Sequence, residues 1–247
     1  MIPKKIHYCW FGKGKKPESF YVFFETWKHF MPNYEIIEWN ETNFDVSKCN
    51  YVAEAYQAKK YAFVSDYVRI YALRKEGGIY FDTDVEVVKS FDMLLDNDFF
   101  IGYECENRLG TSVIGSVKGF WLLDKLLEYY EITHFKKPNG DYNFMPNTDL
   151  ISNYITRSGI VLDNMQKIDK GIALYDYVYF SPYNSLTNKF TKSEKTYSIH
   201  RFTGSWFPKY FLMERSFWKA LNMRNMKICL RIVNLFRHGT IKGKILD

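Results

Sequence analysis

Apolar positions change period along this chain, and the changes predict strands alternating with helices. KKIHYCWFG reads as a short first strand ending in Gly12, followed by the polar loop KGKKPE. Residues 19–31 have helical spacing and are broken by Pro32-Asn33, after which 34–39 form a strand and 40–43 a turn. Residues 52–75 keep a helical period and are closed by Gly77-Gly78 as a C-cap. Short extended pieces follow at 79–81, 85–88 and 99–105, then helices at 120–130 and 149–156. From 159 to 199 short apolar pieces separated by turn signals predict a strand-rich segment. Strands alternating with helices in the first half imply an α/β fold built on a parallel sheet. Residues 1–208 read as one domain and 209–247 as a helical tail.

Composition adjusts this picture in two places. With 47% hydrophobic residues in 247, the chain can bury a sizeable core, and its 19% aromatic content fits bulky packing as well as stacking platforms for rings. The net charge of +6 is uneven: residues 209–247 hold nine Lys or Arg against two acids, leaving 25 basic and 26 acidic groups in the preceding 208. The excess positive charge is therefore a property of the tail. The four cysteines, Cys9, Cys49, Cys105 and Cys229, have no metal-ligand spacing and fit a reducing compartment. Neither a secretory leader nor a run near the roughly 18 apolar residues of a spanning helix is visible, so a cytoplasmic protein is expected.

The candidate chemistry lies in GGIYFDTDVEVV, where Asp82 and Asp84 stand one residue apart after a short apolar run. On a strand, such residues point to one side. Two converging carboxylates repel unless one is protonated or a cation lies between them. Oxygen ligation suits Mg²⁺ or Mn²⁺, which leave coordination positions open for phosphate oxygens. Ligands of open α/β sheets bind beyond the carboxyl ends of strands, where this pair falls. Taken alone, the pair also fits a solvated turn. Asp66 and Arg69, three residues apart upstream, fit an ordinary helix ion pair.

The longer string resembles the DXD glycosyltransferases of family 32 and the glucosylating bacterial toxins related to them. Their pattern, S-D-x-x-R-x-x-x-L-x-x-x-G-G-x-Y-x-D-x-D, is matched at Ser65, Asp66, Arg69, Leu73, Gly77, Gly78, Tyr80, Asp82 and Asp84. IPKKIHYCWFG is similar to the family's opening strand, and HRFTGSW to its closing motif. The resemblance implies a GT-A fold, Rossmann-like with a mostly parallel central sheet and flanking helices, a nucleotide-sugar donor, and Mn²⁺ or Mg²⁺. It implies that Asp84 binds the metal directly, Asp82 contacts the ribose and reaches the metal through water, and His200 is a third ligand. Trp10 would stack on the base, with Gly12 allowing close backbone approach. Asp66, Arg69 and Tyr80 would face the donor, and Ser205 and Trp206 would meet its diphosphate. Retention of anomeric configuration is expected, by front-face attack. Asp149, in a stretch NTDLISNY similar to one that supplies an acid near the donor sugar, or Glu104, would lie under the sugar; each fits a helix cap or surface acid equally.

In the tail, Arg224, Lys227 and Arg231 form a basic stripe opposite Leu221, Ile228, Ile232 and Leu235. Such a basic amphipathic helix suits peripheral contact with an anionic membrane or packing on the domain. The combined reading is a metal-dependent hexosyltransferase that uses a UDP-sugar rather than GDP-mannose. Its acceptor is a glycan or lipid-linked oligosaccharide of bacterial surface polysaccharide, at the inner face of the cytoplasmic membrane. Nucleic acid is not an expected partner, since the basic segment carries no recognised binding motif. Two other classes also fit parts of the chain: a haloacid-dehalogenase-type phosphatase through GIYFDTDV, and a catalytically silent membrane-binding module through the tail.

Overall fold

A computed structural model describes residues 1–105, 108–184, 189–191 and 193–203. The expected tail helix, Ser205 and Trp206 lie outside these residues. In chain order the elements are β1 Lys5–Cys9, α1 Glu18–Phe30, β2 Glu35–Trp39, α2 Asn50–Gln57, α3 Tyr61–Glu76, β3 Gly78–Phe81, β4 Val85–Val87, β5 Phe99–Cys105, β6 Arg108–Ser116, α4 Trp121–Ile132 and α5 Asn147–Arg157. After these come β7 Lys167–Asp169, β8 Ile172–Tyr175, the single turn α6 Tyr177–Phe180, β9 Tyr183–Asn184, β10 Lys189–Phe190 and β11 Ser198–His200.

Seven strands form one sheet in the order β2-β1-β3-β6-β5-β8-β7. β1 pairs in parallel with β2 and β3, and β5 with β8, while β6 runs antiparallel to both β3 and β5 and β7 antiparallel to β8. Five of the seven strands therefore point one way, and β6 reverses in the middle. Side chains alternate across this sheet as the period of 2 requires. Tyr80, Phe99, Ile101, Ile172 and Leu174 pack against α2, α3, α4 and α5, whereas Ile79, Phe81, Phe100 and Ala173 pack against α1, α6 and β4. The result is a helix–sheet–helix sandwich with two cores.

Two local features differ from the sequence expectation. The helical period over 52–75 is two helices, separated at Ala58–Lys60. Lys59 has φ +57°, its N–H donates to the Tyr56 carbonyl at 2.9 Å, and Lys60 N–H donates to Ala55 O at 2.9 Å. These are the two bonds of a Schellman motif, closed here by a lysine in the left-handed position that glycine normally takes. The second difference is β6, a nine-residue strand in a segment for which no element was expected. Its Gly115 lies under the Phe100 ring, where an added Cβ would come within 2.0 Å of the ring edge. The glycine is a packing requirement of the β5–β6 pair rather than a turn signal.

At the other glycine pair the expectation holds. Gly77 has φ +66° and caps α3, its N–H donating to Leu73 O at 2.8 Å. Gly78, at φ +113°, starts β3 so close to β1 that a Cβ would lie 2.7 Å from the Lys5 carbonyl. The pair turns the chain from helix to central strand without a gap, and so aims the end of β3 at the middle of α3.

Candidate active site

β3 ends at Phe81, and the two acids follow in a tight turn, with Val85 N–H donating to Asp82 O at 3.1 Å. Their convergence therefore does not come from strand alternation, as the sequence suggested, but from this turn and from β11. β11 pairs antiparallel with β4, placing His200 opposite Val85. Beyond it the chain fastens Asp84 at three points. Arg201 N–H donates to the Asp84 carbonyl at 3.0 Å, His200 Nε2 lies 3.3 Å from Oδ1, and Thr203 gives Oδ2 its N–H at 2.8 Å and its hydroxyl at 3.1 Å. Asp82, Asp84 and His200 bring one ligand atom each within 4.8 Å of one another. A nitrogen and two carboxylates at this spacing fit a divalent cation of the Mg²⁺ or Mn²⁺ kind.

Electrostatics points the same way. Burial alone would raise the Asp84 pKa, but the neighbouring His200 charge and the hydrogen bonds from His200 and Thr203 outweigh it and hold the carboxyl at about 2. Burial alone would also neutralise His200, yet Asp84, Glu104 and Asp82 raise it to about 9. Glu104, on β5, stands 3.8 Å from His200 Nδ1. The imidazole thus supplies positive charge between Asp84 and Glu104.

Arg69 links this cluster to α3. Only 5% exposed, it reaches Asp66 Oδ1 at 3.0 Å and Asp82 Oδ1 at 3.2 Å through Nη2, and donates to Thr111 O at 2.8 Å through Nη1. Its guanidinium lies over the Tyr80 ring, 4.6 Å from the centroid, and Tyr80 OH donates to Asp82 Oδ1 at 3.0 Å. Asp66 is pushed up to about 6 because burial outweighs the attraction of Arg69, and Asp82 adds repulsion. The helix ion pair is thus the inner wall of the site, with Arg69 spanning two carboxylates and committing its donors to the protein.

The remaining expected residues are placed less uniformly. Trp10 is half-buried at the end of β1, its indole N–H donating to Gly14 O at 2.7 Å. Gly12 has φ +93°, and the close approach it permits is to Tyr61, whose ring a Cβ would meet at 2.3 Å. Asp149 has a 47% exposed side chain in the first turn of α5 and faces Arg108 Nε at 3.6 Å. From the same stretch, the residue brought against the site is Asn147, 3% exposed, whose Nδ2 donates to the Asp66 carbonyl at 2.7 Å. Asn147 and Thr203 escaped the sequence reading, although each lies within two residues of one that was named. A search for acids and histidines passes over such neighbours.

The DXD turn at the centre of this site joins His200 in a candidate Asp-Asp-His metal group. Residues 17–101 match the family described as glycosyltransferase sugar-binding region containing DXD motif, and this part of the chain is such a region. Among solved structures, the chain is similar to "PaToxG Glycosyltransferase", with 20% identity over 64% of this chain and 70% of that one, at a TM-score of 0.45. A glycosyltransferase involved in the glycosylation of the major capsid of PBCV-1 gives 11% identity, 70% and 83% coverage and a TM-score of 0.45. The galactosyltransferase LgtC, solved with donor and acceptor sugar analogs, gives 12%, 88% and 95%, and 0.44. No curated protein matches the chain.

Proposed function

We propose that this glycosyltransferase moves a hexose or N-acetylhexosamine from a UDP-sugar, in preference to GDP-mannose, to a glycan acceptor. That acceptor is a lipid-linked oligosaccharide of bacterial surface polysaccharide, capsular or lipopolysaccharide, at the inner face of the cytoplasmic membrane. The observation that carries the reading is the convergence of Asp82, Asp84 and His200 beside the Arg69–Asp66 pair. Peripheral membrane contact through the basic tail suits such an acceptor. No helix among the described residues is long and apolar enough to cross a membrane.

Asp82, Asp84 and His200 would hold Mn²⁺ or Mg²⁺, and when bound the ion neutralises charge that grows on the diphosphate as it leaves. The chain's own residues prepare the rest. Arg69 separates Asp66 from Asp82 and fixes both carboxylates, so neither reorganises as charge develops. Asn147 anchors the backbone of Asp66, whose carboxylate offers an acceptor to sugar hydroxyls. Trp10 lies at the end of β1 as a face for the base, and the reading assigns the diphosphate to Ser205 and Trp206, which lie outside the described residues. Asp66 is tied to Arg69 and is no free nucleophile, which favours front-face transfer with retention. The bond from C1 to the β-phosphate oxygen breaks, C1 bonds to the acceptor oxygen, and the acceptor proton passes to the leaving diphosphate. The phosphatase alternative needs an unhindered attacking Asp82, whereas its Oδ1 already receives Arg69 and Tyr80.

The test is release of UDP or GDP from a panel of nucleotide sugars, with Mn²⁺ and with EDTA. Turnover should require the metal and fall at least about 100-fold in Asp84→Asn without loss of folding. Metal-independent phosphate release without nucleotide release would reject the proposal.

A further inference from the structure

Asp84 has two oxygens, and the structure treats them differently. Oδ2 accepts two hydrogen bonds from one residue, the Thr203 N–H at 2.8 Å and its hydroxyl at 3.1 Å. A carboxylate oxygen has two lone-pair directions, so Oδ2 is saturated. Oδ1 faces His200 Nε2 at 3.3 Å and receives no hydrogen bond from Thr203. The arrangement is braced further back: Arg201 N–H holds the Asp84 carbonyl, and its guanidinium is paired with Glu86 on β4. Asp84 can therefore neither rotate about χ2 nor turn both oxygens to one ion without breaking the Thr203 bonds.

We propose that Thr203 is a positioning residue that makes Asp84 a one-oxygen ligand and thereby sets which dication the site accepts. This rests on the metal reading given above. Ca²⁺ takes six to eight oxygens and readily uses a carboxylate through both atoms, whereas Mg²⁺, and Mn²⁺ with it, takes about six ligands in octahedral geometry. A carboxylate restricted to Oδ1 gives the small ions what they need and withholds an oxygen from Ca²⁺. Removing the hydroxyl frees one lone-pair direction of Oδ2, lets the carboxylate swing, and relaxes the discrimination.

The experiment is titration of the full chain with Mn²⁺, followed by electron paramagnetic resonance of the free ion, and competition with Ca²⁺, each with and without UDP. Wild type, Thr203→Val, Thr203→Ser and Asp84→Asn are compared, with thermal melting to check folding. Thr203→Val should weaken Mn²⁺ binding about 10-fold. Its preference for Mn²⁺ over Ca²⁺ should shrink by a similar factor, and Thr203→Ser should restore both. An unchanged Mn²⁺/Ca²⁺ preference in Thr203→Val, or failure of serine to restore it, overturns the inference while leaving the metal site standing. Undiminished Mn²⁺ binding by Asp84→Asn overturns the metal site itself, and the inference with it.

Discussion

His7 shows how one buried side chain can record the protonation state of the fold. Its Nε2 lies 2.7 Å from the Gly77 carbonyl, and its Nδ1 lies 3.1 Å from the Trp39 indole N–H. A carbonyl only accepts and an indole N–H only donates, so the ring must be neutral with its proton on Nε2. Burial lowers its pKa below 6.5, although the Gly77 carbonyl favours the charged form. The unfolded chain then binds more protons than the folded one below pH 6.5. The stabilisation is complete above that value and is lost as pH falls. Chemical denaturation at pH 8 and pH 5.5 should show His7→Gln losing less stability on acidification than wild type. Equal losses would mean that His7 does not carry the effect. Side chains of this kind also mark where sequence reading stops. Asp82 and Asp84 could be named because ion chemistry restricts ligands to a few residue types, and His200 because HRFTGSW resembles a family motif. Thr203 could not, because a threonine holding a carboxylate looks like any other threonine until its partner, 119 positions away, is known.

At the scale of elements, periodicity placed α1, β2, β5 and α4 closely, since each buries one face or run against the sheet. It failed where a residue type stood in for the usual signal. The α2–α3 junction bends at Lys59 with φ +57°, a conformation that costs an L-residue about 1–2 kcal/mol and that glycine takes freely. Lys59→Gly should therefore raise stability by about 0.5–1 kcal/mol in urea melts, after the extra entropy of glycine in the unfolded chain is subtracted. A lower midpoint would mean that the lysine side chain makes a compensating contribution. β6 drew no expected element because small residues, above all Gly110 and Gly115, interrupt its apolar pattern. Gly115 gives way to the Phe100 ring, which is fully buried and has nowhere to retreat. Gly115→Ala should cost about 1–3 kcal/mol. A change below about 0.5 kcal/mol in the same melts would show that the strand pair can spread.

For the whole molecule, the site is an assembly of α3, the β3–β4 turn, β5, α5 and β11 from both faces of the sheet, gathered where β3 and β5 end. The fold class was legible because strand–helix alternation carries it. The antiparallel strand between β3 and β5 was not, because no local pattern states which neighbour a strand will choose. Since the acids and His200 are preformed in the folded chain and dispersed in the unfolded one, a bound dication stabilises only the folded state. Mn²⁺ at 100 times its Kd should add about 2.7 kcal/mol, seen as a higher Tm that EDTA reverses and that Asp84→Asn does not show. An identical shift in that variant would place the ion elsewhere.

The clasp on Asp84 also has a consequence in time. A ribosome delivers the acidic turn long before it delivers the strand and threonine that grip it. While residues 85–203 are being made, the nascent chain carries Asp84 without its Thr203 bonds and without His200. The Asp-Asp-His group is therefore completed only after every strand of the seven-stranded sheet has been synthesised.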